Sequence, residues 1–439
     1  MRARVIAIVA LLLAAGSVNL GFGLQTTLLG VRAGIEGFDI GALGIVMSAH
    51  YLGFILGSLF GPRIVGRVGH IRAFTVMAAM ASCATVLHSL FLAPVPWMVF
   101  RALTGFAYGG MCIVVESWLN QRAANDDRGT ILSLYMGATL ASSAAGQLLL
   151  NIWPPSGFQP FILVSMIVSL SLIPVAITTT PAPPIEHAPP MGLRELFRTS
   201  PVGIVGCFAT GLLYSSAGAM GAVFAQSIGM NTFEISLFMM MMVVGSMISL
   251  WPLGWLSDRI DRRIVVVAAF FAVTVLGSLI VIVANVGTTQ MLLVLATLYG
   301  AAALPIYGIA AAHANDKLAA NQYVPASSTL LLCYGLGAVF GPVTASQGMV
   351  AMGPSGLFIF LAIVGALAGA FVLWRLVSRA PAPPEAKGAF VATPATTPVA
   401  LNLSPEAEEP KPDEPAESED FTKSEDAADP EESMARSAG

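Results

Sequence analysis

Charge is what this sequence has least of. Only 10% of its 439 residues are Asp, Glu, Lys or Arg, and 56% are hydrophobic, where a soluble globular chain carries about 25% charged residues. So little polar surface excludes a soluble enzyme and a nucleic-acid binder. Cysteine is scarce as well. Cys83, Cys112, Cys207 and Cys333 fall in four different apolar segments, with no Cys-x-x-Cys pair. That excludes a disulfide-stapled secreted domain and offers no metal-ligand spacing; each reads as a small residue in helix packing. No clustered His/Asp or Ser/His arrangement suggests a membrane enzyme, and neither a cofactor nor a metal is expected. What is present, at a mean hydropathy of +0.78, is a polytopic helical membrane protein.

The charge that exists is unevenly placed. Beyond residue 379 lie 14 of the 25 acidic and 4 of the 21 basic residues, which makes the last 60 residues −10 and leaves the body at +6. This tail, 380–439, is rich in Pro, Ala and Glu and reads as disordered, because it cannot bury enough apolar surface to order itself. It is either a solvated appendage or a site for a cytosolic partner.

A spanning helix needs about 20 mostly apolar residues. Twelve such runs occur: 5–27, 40–60, 71–92, 97–119, 129–151, 159–179, 201–224, 234–256, 263–284, 290–312, 324–346 and 355–377. The first has Arg2 and Arg4 ahead of it, as a secretory signal would, but its apolar stretch runs past any plausible cleavage site. Counted from a cytoplasmic N-terminus, inner segments carry fifteen Lys and Arg residues and outer loops only Arg32. The positive-inside rule then places both termini in the cytoplasm. The proline-rich loop 181–200 separates two six-span halves, 1–180 and 201–379. Its short amphipathic piece Leu193–Phe197 reads as lying on the inner membrane surface.

The halves match at equivalent places. Gly61–Arg72 (GPRIVGRVGHIR) follows the second span, and Gly254–Arg263 (GWLSDRIDRR) closes the eighth. The fourth span ends in ESWLN from Glu116, the tenth in HANDK from His313. A duplicated six-span unit is a common transporter design, with the solute route between the halves.

These residues resemble the major facilitator superfamily. Gly254, Leu256, Asp258, Arg259, Arg262 and Arg263 are similar to that family's signature turn, with Asp261 where glycine is usual. The first-half copy keeps Arg63, Arg67 and Arg72 but has Gly66 at the acid position. Arg101, Gly105, Gly109, Glu116, Arg128 and Gly129 resemble the family's fourth-span motif. Val115–Asn120, Ala311–Asp316, Gln147 and the run Leu330–Pro342 resemble the less characterised YcaD-like branch. The resemblance covers about 5–377. It implies an all-α fold of twelve transmembrane helices, spans one, four, seven and ten around a cavity, and an inner latch between the halves at the signature turn. The fifth span lacks the Gly-Pro motif of drug/proton antiporters; Gly341 and Pro342 sit in the eleventh.

Polar residues inside spans are costly, at about 2.5–3.5 kcal/mol for a charge, and mark candidate sites. Arg101 reads as facing the cavity to bind an anion or modulate a proton site, or as snorkelling outward to a structural partner. Glu116 lies 15 residues later, about 22 Å along the helix, and reads as an inner gating ion pair with Arg122, Arg128 or the basic turns. On the solute pathway, Asn19, Gln25, Tyr214 and Tyr307 join Arg101 by span membership, and Gln147 by residue type; helix–helix hydrogen bonding is the alternative for each. The inner gate comprises Asp258, Arg259, Arg262, Arg263, Glu116, Arg128 and Arg67. No Asp or Glu sits mid-span, so proton coupling would have to use Glu116, Glu234 or a histidine such as His50 or His88. Gly53 with Gly57 and Gly105 with Gly109 read as close helix contacts. Of Met239–Met242, at most two could share a copper site, and ordinary packing is the simpler reading.

The expectation is a secondary active transporter in the cytoplasmic membrane. Arg101 leans it toward an anionic metabolite or amino acid, with direction and coupling ion open. It needs a lipid bilayer and a small solute, no nucleic acid, and is expected as a monomer. Alternatives are a drug or metabolite efflux permease, and a transporter-derived sensor or scaffold acting through the acidic tail.

Overall fold

The computed structural model describes residues 2–123, 127–177, 191–319, 322–379, 390 and 395–397. Met1–Ala407 forms one compact unit and Glu408–Gly439 a second. The second unit, most of the expected tail and the stretch 178–190 lie outside the described residues.

In hydrocarbon the backbone must satisfy its own N–H and C=O groups, so apolar runs become helices. The described residues form helices and no strand. The first half contains α1 (Arg2–Ile35), α2 (Ile40–Val68), α3 (His70–Leu90), α4 (Pro94–Arg122), α5 (Arg128–Leu148), α6 (Gln159–Leu170) and α7 (Leu172–Ala176). A short α8 (Leu193–Thr199) leads into the second half: α9 (Pro201–Ser227), α10 (Thr232–Arg259), α11 (Arg262–Val286), α12 (Thr289–Ala303), α13 (Pro305–Asn315), α14 (Tyr323–Met352) and α15 (Gly356–Ser378). The sixth span is broken at Ser171 into α6 and α7, and the tenth at Leu304 into α12 and α13, where Pro305 cannot donate into the helix ladder.

Eleven stretches among the described residues are long and apolar enough to cross a membrane. The twelfth expected span is α5, a 21-residue helix whose Gly, Ala, Ser and Thr lower its hydropathy. Those small residues serve packing: Gly146 rests on the Leu20 carbonyl and Gly23 on that of Ser143.

Close glycine crossings recur in both halves. In α2 and α4, Gly53 abuts the Ala102 carbonyl, Gly57 that of Phe106, and Gly105 that of His50. Their second-half equivalents in α10 and α12 are Gly245 on Thr297 and Gly300 on Met242. The α1–α5 crossing likewise returns between α9 and α14, as Gly211 on Tyr334 and Gly337 on Phe208. A Cβ at any of these glycines would strike backbone, so the contacts exist only because the side chains are absent.

The ends of α2, α4, α10 and α15 and the starts of α5 and α11 gather Arg67, Arg122, Arg128, Arg259, Arg262 and Arg375 at one end of the bundle, the basic end. The described bonds between halves cluster toward the other, far end. Gln226 Nε2 donates to the Val31 carbonyl at 3.2 Å, Ser48 to that of Val339 at 2.6 Å, and Asn151 Nδ2 to Ser236 at 3.1 Å. Gly30 packs on Ala222 and Gly44 on Ser346. Arg32, in the last turn of α1 at the far end, pairs with Glu36 at 2.8 Å and donates to the carbonyls of Pro155, Ser156 and Gly157. It is thereby a loop fastener. Past 190, Met191 is tied to α14: its N–H donates to the Pro325 carbonyl, and its own carbonyl accepts from Thr329.

Candidate functional site

Between the halves lies a cavity that continues toward the basic end into an overlapping space. From α1, Asn19, Phe22, Gly23 and Thr26 line it, spaced by three and four residues as one helix face requires. His50 and Tyr51 come from α2, Tyr108 from α4, Ser143 and Gln147 from α5, Tyr214 from α9, and Tyr299 from α12. Met239 and Met242 reach the wall from α10, while Met240 and Met241 do not.

The wall is aromatic and polar without charge; no described lining residue is Asp, Glu, Lys or Arg. Its groups are partly engaged. Tyr108 donates to Asn19 Oδ1 at 2.9 Å, and Asn19 Nδ2 donates to the Ala15 carbonyl at 2.9 Å. Gln147 Oε1 accepts from the Thr27 hydroxyl. The His50 ring lies among Phe22, Tyr51 and Tyr108, with centroids 5.5–6.2 Å away, and its Nδ1 is buried without a partner.

Three expected pathway residues are not on the wall. Gln25 faces α3 and donates to Thr85 at 2.9 Å; six positions from Asn19 is about 240° of helix rotation, which turns it away. Tyr307 packs on Tyr334 at 5.2 Å, because the break at Leu304 ends the stripe formed by Tyr299, Gly300, Ala303 and Leu304. Arg101 is only 1% exposed and is absent from the lining. It lies seven residues before Tyr108, on the same helix face and about 10 Å nearer the far end. Its Nε and NH1 have no hydrogen-bond partner, and its charge acts on His50, Tyr51 and His88.

At the basic end, Glu116 is fully buried. Its described partners are hydroxyls, not the arginines expected: Tyr135 donates at 2.7 Å, and Thr396 and Thr397 also donate. Neighbouring Ser117 meets His70 Nε2 at 2.9 Å, and Trp118 stacks on the His70 ring. Arg128 opens α5 with Nε buried and without a hydrogen-bond partner, and Arg67 is exposed in the last turn of α2.

The signature-turn residues bond mainly within the second half, where the resemblance implied a latch between halves. Arg262 reaches Asp258 at 3.4 Å and Asp316 at 3.1 Å, joining α10, α11 and the end of α13. Arg263 grips Asp261 at 2.7 Å and donates to the Arg379 carbonyl at 2.9 Å, closing the end of α15. Arg259 lies over Trp255, 3.8 Å from the ring centroid. Partial burial pushes the Asp261 carboxyl up, but hydrogen bonds and charge from Arg263 outweigh it and hold the group below the usual range. Burial, then Arg263, Arg375 and Arg379, lowers Lys317. In the first half the turn is built differently, on Gly69 at φ 84°, a conformation that favours glycine. Glu234 is a helix cap: it completes a capping box with Asn231 and accepts from Thr289 at 3.1 Å.

Sequence reasoning missed four tail residues. The Phe390 N–H donates to Asp258 Oδ1 at 2.8 Å, and Ala395 and Thr396 line the cavity at its basic end. The stretch 388–405 carries no charged residue, which was a legible sign that the tail is not uniform. Tyr51, Tyr108 and Tyr299 were also missed; for Tyr108 the seven-residue spacing from Arg101 was the available signal.

The Major Facilitator Superfamily sequence profile matches residues 6–251 and again 204–405. An uncharacterised MFS-type transporter of Yersinia pestis (strain Pestoides F) is 28% identical over 344 residues, covering 77% of this chain and 86% of that protein. The uncharacterised MFS-type transporter YcaD of Salmonella enteritidis PT4 is 27% identical over 326 residues, 73% and 83% of the two chains. Among solved structures, the nucleoside transporter NupG aligns with a TM-score of 0.69 at 13% identity, over 86% of this chain and all of that one. A bacterial homologue of the human lysosomal transporter Spinster, inward-facing and unoccupied, aligns with a TM-score of 0.65 at 13% identity, over 85% and 96%.

Proposed function

This chain belongs to the major facilitator superfamily, and from that premise we propose that it is a secondary active transporter moving a small solute by alternating access. The observation that carries the reading is the cavity between two repeated halves, closed by cross-half bonds at the far end and extended toward the basic end. With the basic end cytoplasmic, by the positive-inside rule, this is an inward-facing arrangement in the cytoplasmic membrane.

The wall supports an uncharged, ring-bearing solute. Phe22, His50, Tyr51, Tyr108, Tyr214 and Tyr299 offer ring faces, and Asn19, Ser143 and Gln147 offer hydrogen bonds, the mix typical of small-molecule sites. A second reading, an anionic solute, is favoured by Arg101, whose unpartnered Nε and NH1 sit on the Tyr108 face beyond the cavity. Opening the far end would bring an incoming anion to it first.

A thermal-shift panel tests both. It should hold nucleosides, sugars, amino acids, organic acids, drugs and metal ions, nucleosides because a solved neighbour transports them. A ligand at 100 times its Kd stabilises by about 2.7 kcal/mol. Stabilisation by neutral ring compounds, lost in Tyr108→Ala, supports the wall reading. Stabilisation by organic anions alone, lost in Arg101→Ala, replaces it with the second. Loss of function on deleting 380–439, with transport undetectable, would favour the sensor reading.

A further inference from the structure

We propose that Lys317, Arg375 and Arg379 form a binding site for the headgroup of an anionic phospholipid at the basic end of the second half. The site concerns the lipid around the protein and does not depend on which solute is carried.

Two adjacent arginines assemble it. At the start of α11, Arg262 pairs with Asp316 at 3.1 Å, and Lys317 is the next residue, in the turn that follows α13. Arg263 donates through NH1 to the carbonyls of Arg375 at 3.4 Å and Arg379 at 2.9 Å, at the end of α15. One helix start therefore anchors both Lys317 and the end of α15. The bonds to α15 use its carbonyls, which leaves both guanidinium groups available to a ligand. Lys317 and Arg379 are exposed and Arg375 is half-buried.

Charge at this junction is out of balance. Arg263 is matched by Asp261, and Arg262 by Asp258 and Asp316. Lys317, Arg375 and Arg379 have no ion-pair partner among the described residues, so five cations there meet three carboxylates. Partial burial and the charges of Arg263, Arg375 and Arg379 lower Lys317, and Asp261 offsets only part of that. Like charges held together by backbone bonds repel one another, and an anion placed among them relieves the repulsion.

The surroundings favour a lipid over a soluble anion. The α15 helix is long and apolar enough to cross the membrane, and near its end Trp374 is 57% and Val377 81% exposed. The Phe371 ring lies 5.9 Å from that of Trp374, and Arg375 lies 5.6 Å from the Trp374 ring centroid. Tryptophan near the end of a span marks the headgroup level, where clustered Lys and Arg attract anionic headgroups. The end of one helix thus offers an apolar rim for acyl chains beside cations for a phosphate.

Native mass spectrometry tests the site, on the full-length chain delipidated in detergent and offered equal amounts of phosphatidylglycerol and phosphatidylcholine. Phosphatidylglycerol should be retained at least about tenfold more tightly. Each of Lys317→Ala, Arg375→Ala and Arg379→Ala should weaken that retention by about fivefold, and the three together by about a hundredfold. If the triple variant is not monodisperse, Lys317→Ala alone serves, with the single-site loss expected. Arg72→Ala, Arg194→Ala and Arg198→Ala combined remove three exposed arginines outside the site and should leave retention nearly unchanged. Equal retention of the two lipids would overturn the proposal. So would an equal loss in both sets of variants, which would make the attraction a diffuse property of the basic end. Displacement of phosphatidylglycerol by millimolar glycerol phosphate would reassign the three cations to a soluble phosphate and overturn the lipid.

Discussion

At Arg101 a guanidinium is buried with Nε and NH1 unanswered, which a stability requirement alone would not retain. Replacing an unpaired buried charge with an apolar side chain of similar size is commonly neutral or stabilising. Arg101→Met is therefore expected to melt at the native temperature or a few degrees above it, and to lose ligand-induced stabilisation where the ligand is an anion; melting several degrees lower would show that Arg101 is a structural residue. Asp261 is the opposite case. It caps α11 by accepting from the Arg263 N–H at 2.9 Å and pairs with the Arg263 side chain. Asp261→Asn should cost about 1 kcal/mol. Because its carboxyl is held below the usual 3.8, its contribution is present above that pH and fades as pH falls through the lower folded value. Melting curves of the two proteins should differ at pH 7 and converge on acidification; a constant gap would remove the ion pair from the account. Asn19 and Tyr214 were placed on the pathway from span membership and Gln147 from residue type, and all three line the cavity. Gln25 and Tyr307 do not, because span membership does not fix helix face and a proline break resets the stripe.

Among elements, the helix pairs crossing through glycine set the packing. Gly105 meets the His50 carbonyl, whereas Gly66 has nothing within 4 Å of an added Cβ. Overpacking a tight site costs about 1–3 kcal/mol, so Gly105→Val should lower the melting temperature clearly and Gly66→Ala should leave it nearly unchanged. Equal effects would mean that the α2–α4 approach carries no special weight. The spacing of Gly53, Gly57, Gly105 and Gly109 made that crossing legible in the sequence, and eleven of the twelve expected spans are, among the described residues, long and apolar enough to cross a membrane. The α5 helix was legible as a span only loosely, since the small and hydroxyl residues that let it pack also dilute its apolar signal. The bonding of the signature turn was not legible. A motif names its residues but not their partners, and here Arg262 and Arg263 tie the second half to itself.

At the scale of the whole molecule, the repeat is visible as paired crossings, α2–α4 with α10–α12 and α1–α5 with α9–α14. Two similar halves bonded at one end can rock about the cavity only if the far-end contacts can break as basic-end contacts form. The charge imbalance of the chain foretold the basic end, but it hid the uncharged stretch inside an acidic tail, because a net balance averages unlike segments. Alternation is the central claim, and paired spin-label distances test it most directly. One pair replaces Glu36 and Ser227 at the far end, the other Arg67 and Arg259 at the basic end, all four exposed. Addition of a ligand found by thermal shift should lengthen the far-end distance while shortening the basic-end one. Both distances staying fixed with ligand bound, or moving in the same direction, would contradict alternating access in this protein.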